Sequence, residues 1–145
     1  MRKIKYLNIG IVAICLITLL AGCLFFDPFV LVNNWRITPQ QATGTEVNLS
    51  FVTGSEMEFA FTIKNLGEER NLYASNFDVV CVISGSEESS TAIYFDSPLI
   101  TSINFAEEES KNITLHALTK SSFANSSKIL VKYDGTTICE YIVRN

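Results

Sequence analysis

From residue 46 onward, apolar and polar positions alternate with a period of two, the spacing of a strand with one buried face and not that of a helix. "EVNLSFV" sets Val47, Leu49 and Phe51 on one side, and "EMEFAFTIK" sets Met57, Phe59, Phe61 and Ile63 on one side. "NFDVVCVI" repeats the pattern with Phe77, Val79, Cys81 and Ile83, and "KNITLHAL" with Ile113, Leu115 and Ala117. "TAIYFD" and "LITSINF", on either side of Pro98, are shorter strand candidates. "KILVKYDGTTICEYIV" reads as a hairpin, because Asp-Gly between alternating runs favours a type I′ turn at Asp134-Gly135. Between these runs, "NLGEERN" is a turn in which Gly67 is free to take a positive φ, "SGSEESS" is a loop and "AEEES" is an acidic turn. After residue 22 the sequence shows no helix with convincing caps, and it holds no internal repeat. Roughly seven or eight short strands at this spacing predict an all-β fold, an antiparallel sandwich.

The first 45 residues have another character. Residues 24–35, "LFFDPFVLVNNW", are strongly apolar; they predict a first strand with Phe29, Leu31 and Trp35 on one face, or a segment lying on a membrane surface. Residues 36–45, "RITPQQATGT", are polar, broken by Pro39 and Gly44, and read as a connector. Ahead of both, Arg2, Lys3 and Lys5 precede the apolar run "LNIGIVAICLITLLAGC". A charged start, an apolar centre of about 7 to 15 residues and a small-residue site form the layout of a secretory signal. Residues 9–26, eighteen in number, would also just suffice as an uncleaved membrane helix, which needs about 17 residues at least. The basic start then holds that end in the cytoplasm, so either reading places the rest of the chain outside.

Leu20-Ala21-Gly22-Cys23 resembles the lipobox of bacterial lipoproteins. The resemblance implies a diacylglycerol attached to the Cys23 thiol and cleavage just before it, with Cys23 as the mature first residue. It also implies residence on the extracytoplasmic face of the cell membrane, held by the lipid anchor. The organisation expected is a signal peptide over residues 1–22, an anchored N-terminal segment and connector over 23–45, and a sandwich domain over 46–145. Further along, "FAFTIKNLGEERNLYASNFDVV", "INFAEEESKNITL" and "KILVKYDG" resemble, in that order, parts of immunoglobulin-like extracellular domains on bacterial and archaeal lipoproteins. The telokin-like and cell-adhesion-related bacterial families are among those it resembles. A glycine is common in the acidic turn of such domains, whereas residues 106–110 here hold none. The resemblance implies an immunoglobulin-like sandwich and brings no catalytic residues with it.

Charge narrows the partners. The chain holds 11 basic and 15 acidic residues; residues 1–22 take away three of the basic ones and none of the acidic, leaving about −7. An acidic surface repels phosphate backbones, so nucleic-acid binding is disfavoured. The mature domain keeps two cysteines, Cys81 and Cys139, and an exported compartment permits their oxidation, so one disulfide between them is expected. Such a bond would close a long loop and contribute about 4 kcal/mol on the chain-entropy account. Cys15, inside the apolar run, reads as a small hydrophobe. The single histidine, His116, falls on the face opposite Ile113 and Leu115 and reads as a partly exposed strand residue. One histidine and two isolated cysteines lack zinc-ligand spacing, so no metal is expected. Glu68-Glu69, Glu87-Glu88 and Glu107-Glu108-Glu109 read as solvated turn charge, since calcium needs six to eight oxygens converging from several loops. N-x-S/T sequons start at Asn48, Asn112 and Asn125 and would matter only in a host that glycosylates exported chains.

No nucleophile with a histidine base and no GxSxG elbow is present, so no enzyme activity and no catalytic residue is expected. Apart from the lipid on Cys23, no cofactor is implied. Two readings stay open: a binding or interaction module with an envelope protein as partner, or a structural accessory lipoprotein with no specific ligand. Alternation leaves Trp35, Tyr73, Tyr94 and Phe123 unassigned to core or surface. Within "KSSFANSSK", residues 120–128, Phe123 is a lone aromatic among small polar residues and is the candidate contact residue for a partner.

Overall fold

A strand whose every second residue is apolar can bury only one face, and two such sheets stacked face to face satisfy each other. The computed structural model describes residues 28–48 and 55–144, and this arrangement is what they form. Among them there are twelve strands and two short 3-10 turns, with no α-helix. The strands are β1 (Val30–Val32), β2 (Trp35–Pro39), β3 (Glu46–Asn48), β4 (Glu56–Asn65), β5 (Arg70–Tyr73), β6 (Phe77–Ile83), β7 (Ser86–Ser89), β8 (Ile93–Phe95), β9 (Ser102–Phe105), β10 (Ser110–Leu118), β11 (Lys128–Tyr133) and β12 (Thr136–Arg144). One sheet runs β1-β2-β4-β10-β8, the other β3-β12-β11-β6-β7, and β5 pairs with β9 in a separate ribbon. The described neighbours are antiparallel except β3, which lies parallel to β12.

The long strands carry the expected faces inward. Met57, Phe59, Phe61 and Ile63 of β4, Phe77, Val79 and Cys81 of β6, and Ile113, Leu115 and Ala117 of β10 are all buried in one core. Phe77 sits at its centre, edge-on to both Phe95 and Tyr133. Leu49 and Phe51 lie outside the described residues, as do Cys15, the run at 9–26 and Cys23. Among the described residues no helix is long and apolar enough to cross a membrane.

Three hairpins close by the same device. Asn33-Asn34, Ser84-Gly85 and Asp134-Gly135 each place two successive residues at positive φ, the type I′ geometry whose twist matches the strands it joins. Only the third is expected from the sequence. The second turns the expected loop "SGSEESS" into edge strand β7, paired to β6 from Val80 to Ile83. The first turns residues 30–39 into a β1-β2 hairpin seated beside β4, so the connector begins in a strand and the sandwich takes in residues ahead of 46. It also changes the predicted face. Val32 opposes Trp35 across the turn and both point inward, while Leu31 faces solvent. The tips of the first and third hairpins meet where Asn33 Nδ2 donates to Asp134 Oδ2 at 2.6 Å.

The turn at residues 65–71 closes by a different means from the one expected. Gly67 is not among the positive-φ glycines. Instead Asn65, fully buried, uses its whole side-chain amide: Nδ2 donates to the Glu68 and Ala106 carbonyls at 2.8 and 3.0 Å, while Oδ1 accepts from Gly67 N–H at 3.1 Å and Arg70 Nε at 3.0 Å. Arg70 in turn lies 4.0 Å over the Trp35 ring, which meets Phe105 edge-on. In the glycine-free acidic turn it is Glu108 that takes the left-handed conformation, at φ 58°, with its carboxylate 2.6 Å from Lys64 Nζ.

Candidate functional site

On the outer face of the first sheet, strand pairing assembles a row that the core does not need. His116 on β10 sits directly opposite Glu58 on β4 and, on its other side, opposite Tyr94 on β8. Glu56, two residues before Glu58, shares the same face because side chains alternate along a strand. The pleat that sends Leu115 and Ala117 into the core thus turns His116 towards two carboxylates and a phenol.

Within this row His116 Nδ1 lies 3.3 Å from Glu56 Oε2 and 3.7 Å from Glu58 Oε1. The imidazole stacks on the Tyr94 ring, with centroids 5.4 Å apart and planes within 5°. Tyr94 Oη donates to the other Glu56 oxygen, Oε1, and this bond raises the phenol above its ordinary pKa. Although it stands on the outer face, His116 is only 9% exposed, so the expectation of a partly exposed residue is corrected: ring stacking and strand neighbours cover it. Its Nδ1 is buried and makes no hydrogen bond of good geometry to either carboxylate. One imidazole and two carboxylates whose ligand atoms all lie within 4.8 Å of one another are a set that could hold a metal ion.

The sequence-derived candidates fare differently. Cys81 and Cys139 are buried free thiols and not a disulfide. The reason is topological: Cys81 on β6 and Cys139 on β12 belong to one sheet with β11 between them, Ile129 opposing Cys81 and Val131 opposing Cys139. Two strand spacings of about 4.8 Å put the backbones roughly 10 Å apart, beyond the about 7 Å that a disulfide can bridge. Burial pushes the Cys139 thiol up to about 11 and raises Cys81 as well, so neither presents a thiolate at neutral pH.

Phe123 is fully buried, held inward by the 3-10 turn Ser121–Asn125, and Lys120 Nζ lies 5.7 Å over its ring. It is therefore part of the core and offers no exposed ring to a partner. Trp35 is core too, whereas Tyr73 is half exposed. Its neighbourhood holds the most exposed large hydrophobic residue described, Leu99 at 93%, with Ile100 at 40%. Ala74 N–H donates to Thr101 C=O and Tyr73 opposes Ser102, which joins the end of β5 to the loop carrying Leu99. The acidic clusters divide: Glu107–109 stays in a turn, while Glu87 and Glu88 lie on β7 and pair with Lys132 at 2.6 Å and Lys120 at 3.3 Å. A shallow polar groove elsewhere on the first sheet is lined by Arg36, Thr38, Thr62, Lys64 and Ser110. Its cations are already engaged, Arg36 over the Phe29 ring and Lys64 with Glu108.

No protein-family model matches the chain, and no curated protein matches its sequence. Among solved structures the chain is similar to an uncharacterized β-sandwich protein from Clostridium difficile 630, at 11% identity and a TM-score of 0.44, covering 81% of this chain and 89% of that one. It is also similar to PapD-like domain 7 of human CEP192, at 10% identity and a TM-score of 0.31, covering 83% and 92%.

Proposed function

We propose that this chain is an exported lipoprotein, anchored through a diacylglycerol on Cys23 at the extracytoplasmic face of the cell membrane. Its sandwich, immunoglobulin-like in strand order, acts there as a non-catalytic binding module. The observation that carries the proposal is Leu20-Ala21-Gly22-Cys23 at the end of an apolar run with a basic start. The strand order supports the immunoglobulin-like reading: β2, β4, β10 and β8 fall where strands A, B, E and D lie, and β12, β11, β6 and β7 where G, F, C and C′ lie. Only six residues separate Cys23 from the first strand residue, Val30. At no more than about 3.6 Å per residue, the tether keeps the domain within roughly 25 Å of the headgroups. Binding is favoured over a purely structural role by the exposed side chains of Tyr73, Leu99 and Ile100, which backbone pairing brings to one end of the β5-β9 ribbon.

Changing Cys23→Ala tests the anchor: fatty-acid labelling should vanish and the precursor should stay uncut. Wild-type protein that partitions into the aqueous phase of a detergent separation would overturn the anchor. The binding reading is tested with Leu99→Glu, which should retain stability and lose any envelope protein captured with the wild type from solubilised membranes. A capture pattern identical in the two would favour the structural role.

A further inference from the structure

We propose that Glu56, Glu58 and His116 form a binding site for a divalent transition-metal ion of the zinc type, on the outer face of the first sheet. The geometry argues for it before the chemistry does. A tetrahedral ion with metal–ligand bonds of about 2.1 Å places its ligand atoms about 3.4 Å apart. The separations from His116 Nδ1 to the two carboxylate oxygens are 3.3 and 3.7 Å, close to that edge length with no ion present to draw them in.

The imidazole supplies the second, independent sign. Its Nδ1 is buried, points at the two carboxylates and makes no hydrogen bond. Distance alone does not set it apart, since the lysine and arginine pairs described run from 2.6 to 3.4 Å; it is the direction of approach that leaves this nitrogen without a bond. A buried polar atom left without a partner costs about 1–3 kcal/mol; a metal ion would give it one.

The surroundings suit a metal ligand set. Tyr94 holds Glu56 Oε1, leaving Oε2 to turn towards His116, and its ring fixes the imidazole plane. Hydrogen-bonded support of this kind orients ligating groups in metal sites. Two carboxylates neutralise a divalent charge, while nitrogen in the set and the small ligand number select against calcium and magnesium. Three protein ligands leave a position for water or a partner's group, and the Glu58 side chain is 66% exposed on that side.

The test uses the full-length chain in detergent. Titration with Co²⁺, read by visible absorption and calorimetry, should show one saturable site per chain with no thiolate-to-metal charge transfer, displaced by Zn²⁺. Glu58→Gln and His116→Gln should each weaken binding by about tenfold or more and abolish the rise in Tm that Zn²⁺ brings to the wild type. Glu58 is exposed, so its replacement leaves the fold intact, and circular dichroism of that variant confirms it. Absence of saturable binding, affinity unchanged in Glu58→Gln, or a thiolate band pointing to cysteine would each overturn the proposal.

Discussion

Replacing Asn65 by Ala removes four hydrogen bonds at once and leaves their partners in unequal positions. The Glu68 and Ala106 carbonyls and the Gly67 N–H lie in turns that water reaches, so each loses only the net value of a hydrogen bond, about 0.5–1.5 kcal/mol. The Arg70 group is worse placed. Its Nε bonds Asn65 Oδ1, its Nη2 is already buried without a partner, and its guanidinium lies over Trp35. Leaving a charged donor stranded there costs about 1–3 kcal/mol, and together the losses come to about 2.5–7.5 kcal/mol. For a domain of this size that corresponds to a fall in Tm of roughly 10–30 °C. Thermal and urea unfolding of Asn65→Ala measure it, with Asn104→Ala, at an exposed position of β9, as a control expected to stay within about 0.5 kcal/mol. The cycle with Arg70→Ala isolates the shared part, since neighbours in one network couple by about 0.5–3 kcal/mol. A loss below about 1 kcal/mol, or strict additivity with Arg70→Ala, would refute the view that this amide organises the turn.

Phe123→Ala should cost about 3–5 kcal/mol, the usual range for emptying a buried phenylalanine site, measured by chemical denaturation; near-neutral stability with loss of a bound partner would return Phe123 to the surface. Gly135 stands at φ 79° with open space around it, so Gly135→Ala should cost about 1–2 kcal/mol of left-handed backbone alone. Gly67→Ala, whose added Cβ meets Asn34 at an ordinary 3.7 Å, should be neutral or stabilising by about 0.4–1 kcal/mol, and the same ranking reversed in thermal melts would contradict both assignments. Burial raises the Cys139 thiol from its ordinary value near 9.0 up to about 11. The folded state therefore keeps this proton longer than the unfolded chain, and the stabilisation is complete below pH 9 and lost as pH rises towards 11. A two-unit shift corresponds to about 3 kcal/mol; denaturation curves that do not move over this range would deny the burial. In the same protein, alkylation without reductant should reach both Cys81 and Cys139 only on unfolding, whereas an unreactive pair would restore the disulfide.

Alternation made the long strands legible because their two faces meet different solvents. β4 and β10 each set three or more apolar residues against the core, and a period of two follows directly. β7 escaped notice for the same reason: "SEES" is an edge strand with little burial on either face, so nothing in its side chains demands alternation. The β1-β2 hairpin escaped for another. Read as one extended strand, Leu31 and Trp35 share a face; folded at Asn33-Asn34, the chain makes Val32 and Trp35 partners and reverses the parity of what precedes the turn. Asparagine tolerates the left-handed conformation, so two of them between "VLV" and "WRI" were a usable signal. Gly67 was the opposite case, a glycine taken for the flexible element of a turn that a neighbouring side chain closes.

The Glu56, Glu58 and His116 row lay beyond sequence reasoning because its parts are individually ordinary. Two glutamates at i and i+2 on one strand face, and one histidine on another, are common surface residues until a register is known. That register is set elsewhere, by the apolar residues on the opposite faces of the same strands. Phe59 opposes Leu115 and Phe61 opposes Ile113 in the core, and this alone requires Glu58 to oppose His116 outside it. A slip of one residue would turn the phenylalanines of β4 to solvent. A slip of two that brought Ala60 opposite His116 would keep the faces, move Glu58 to the diagonal place that Glu56 now holds, and carry Glu56 four residues from the opposing position, out of reach of the imidazole. The core therefore fixes the outer row as firmly as it fixes itself: the side chains that set the register face inward, and the candidate ligands are carried by it.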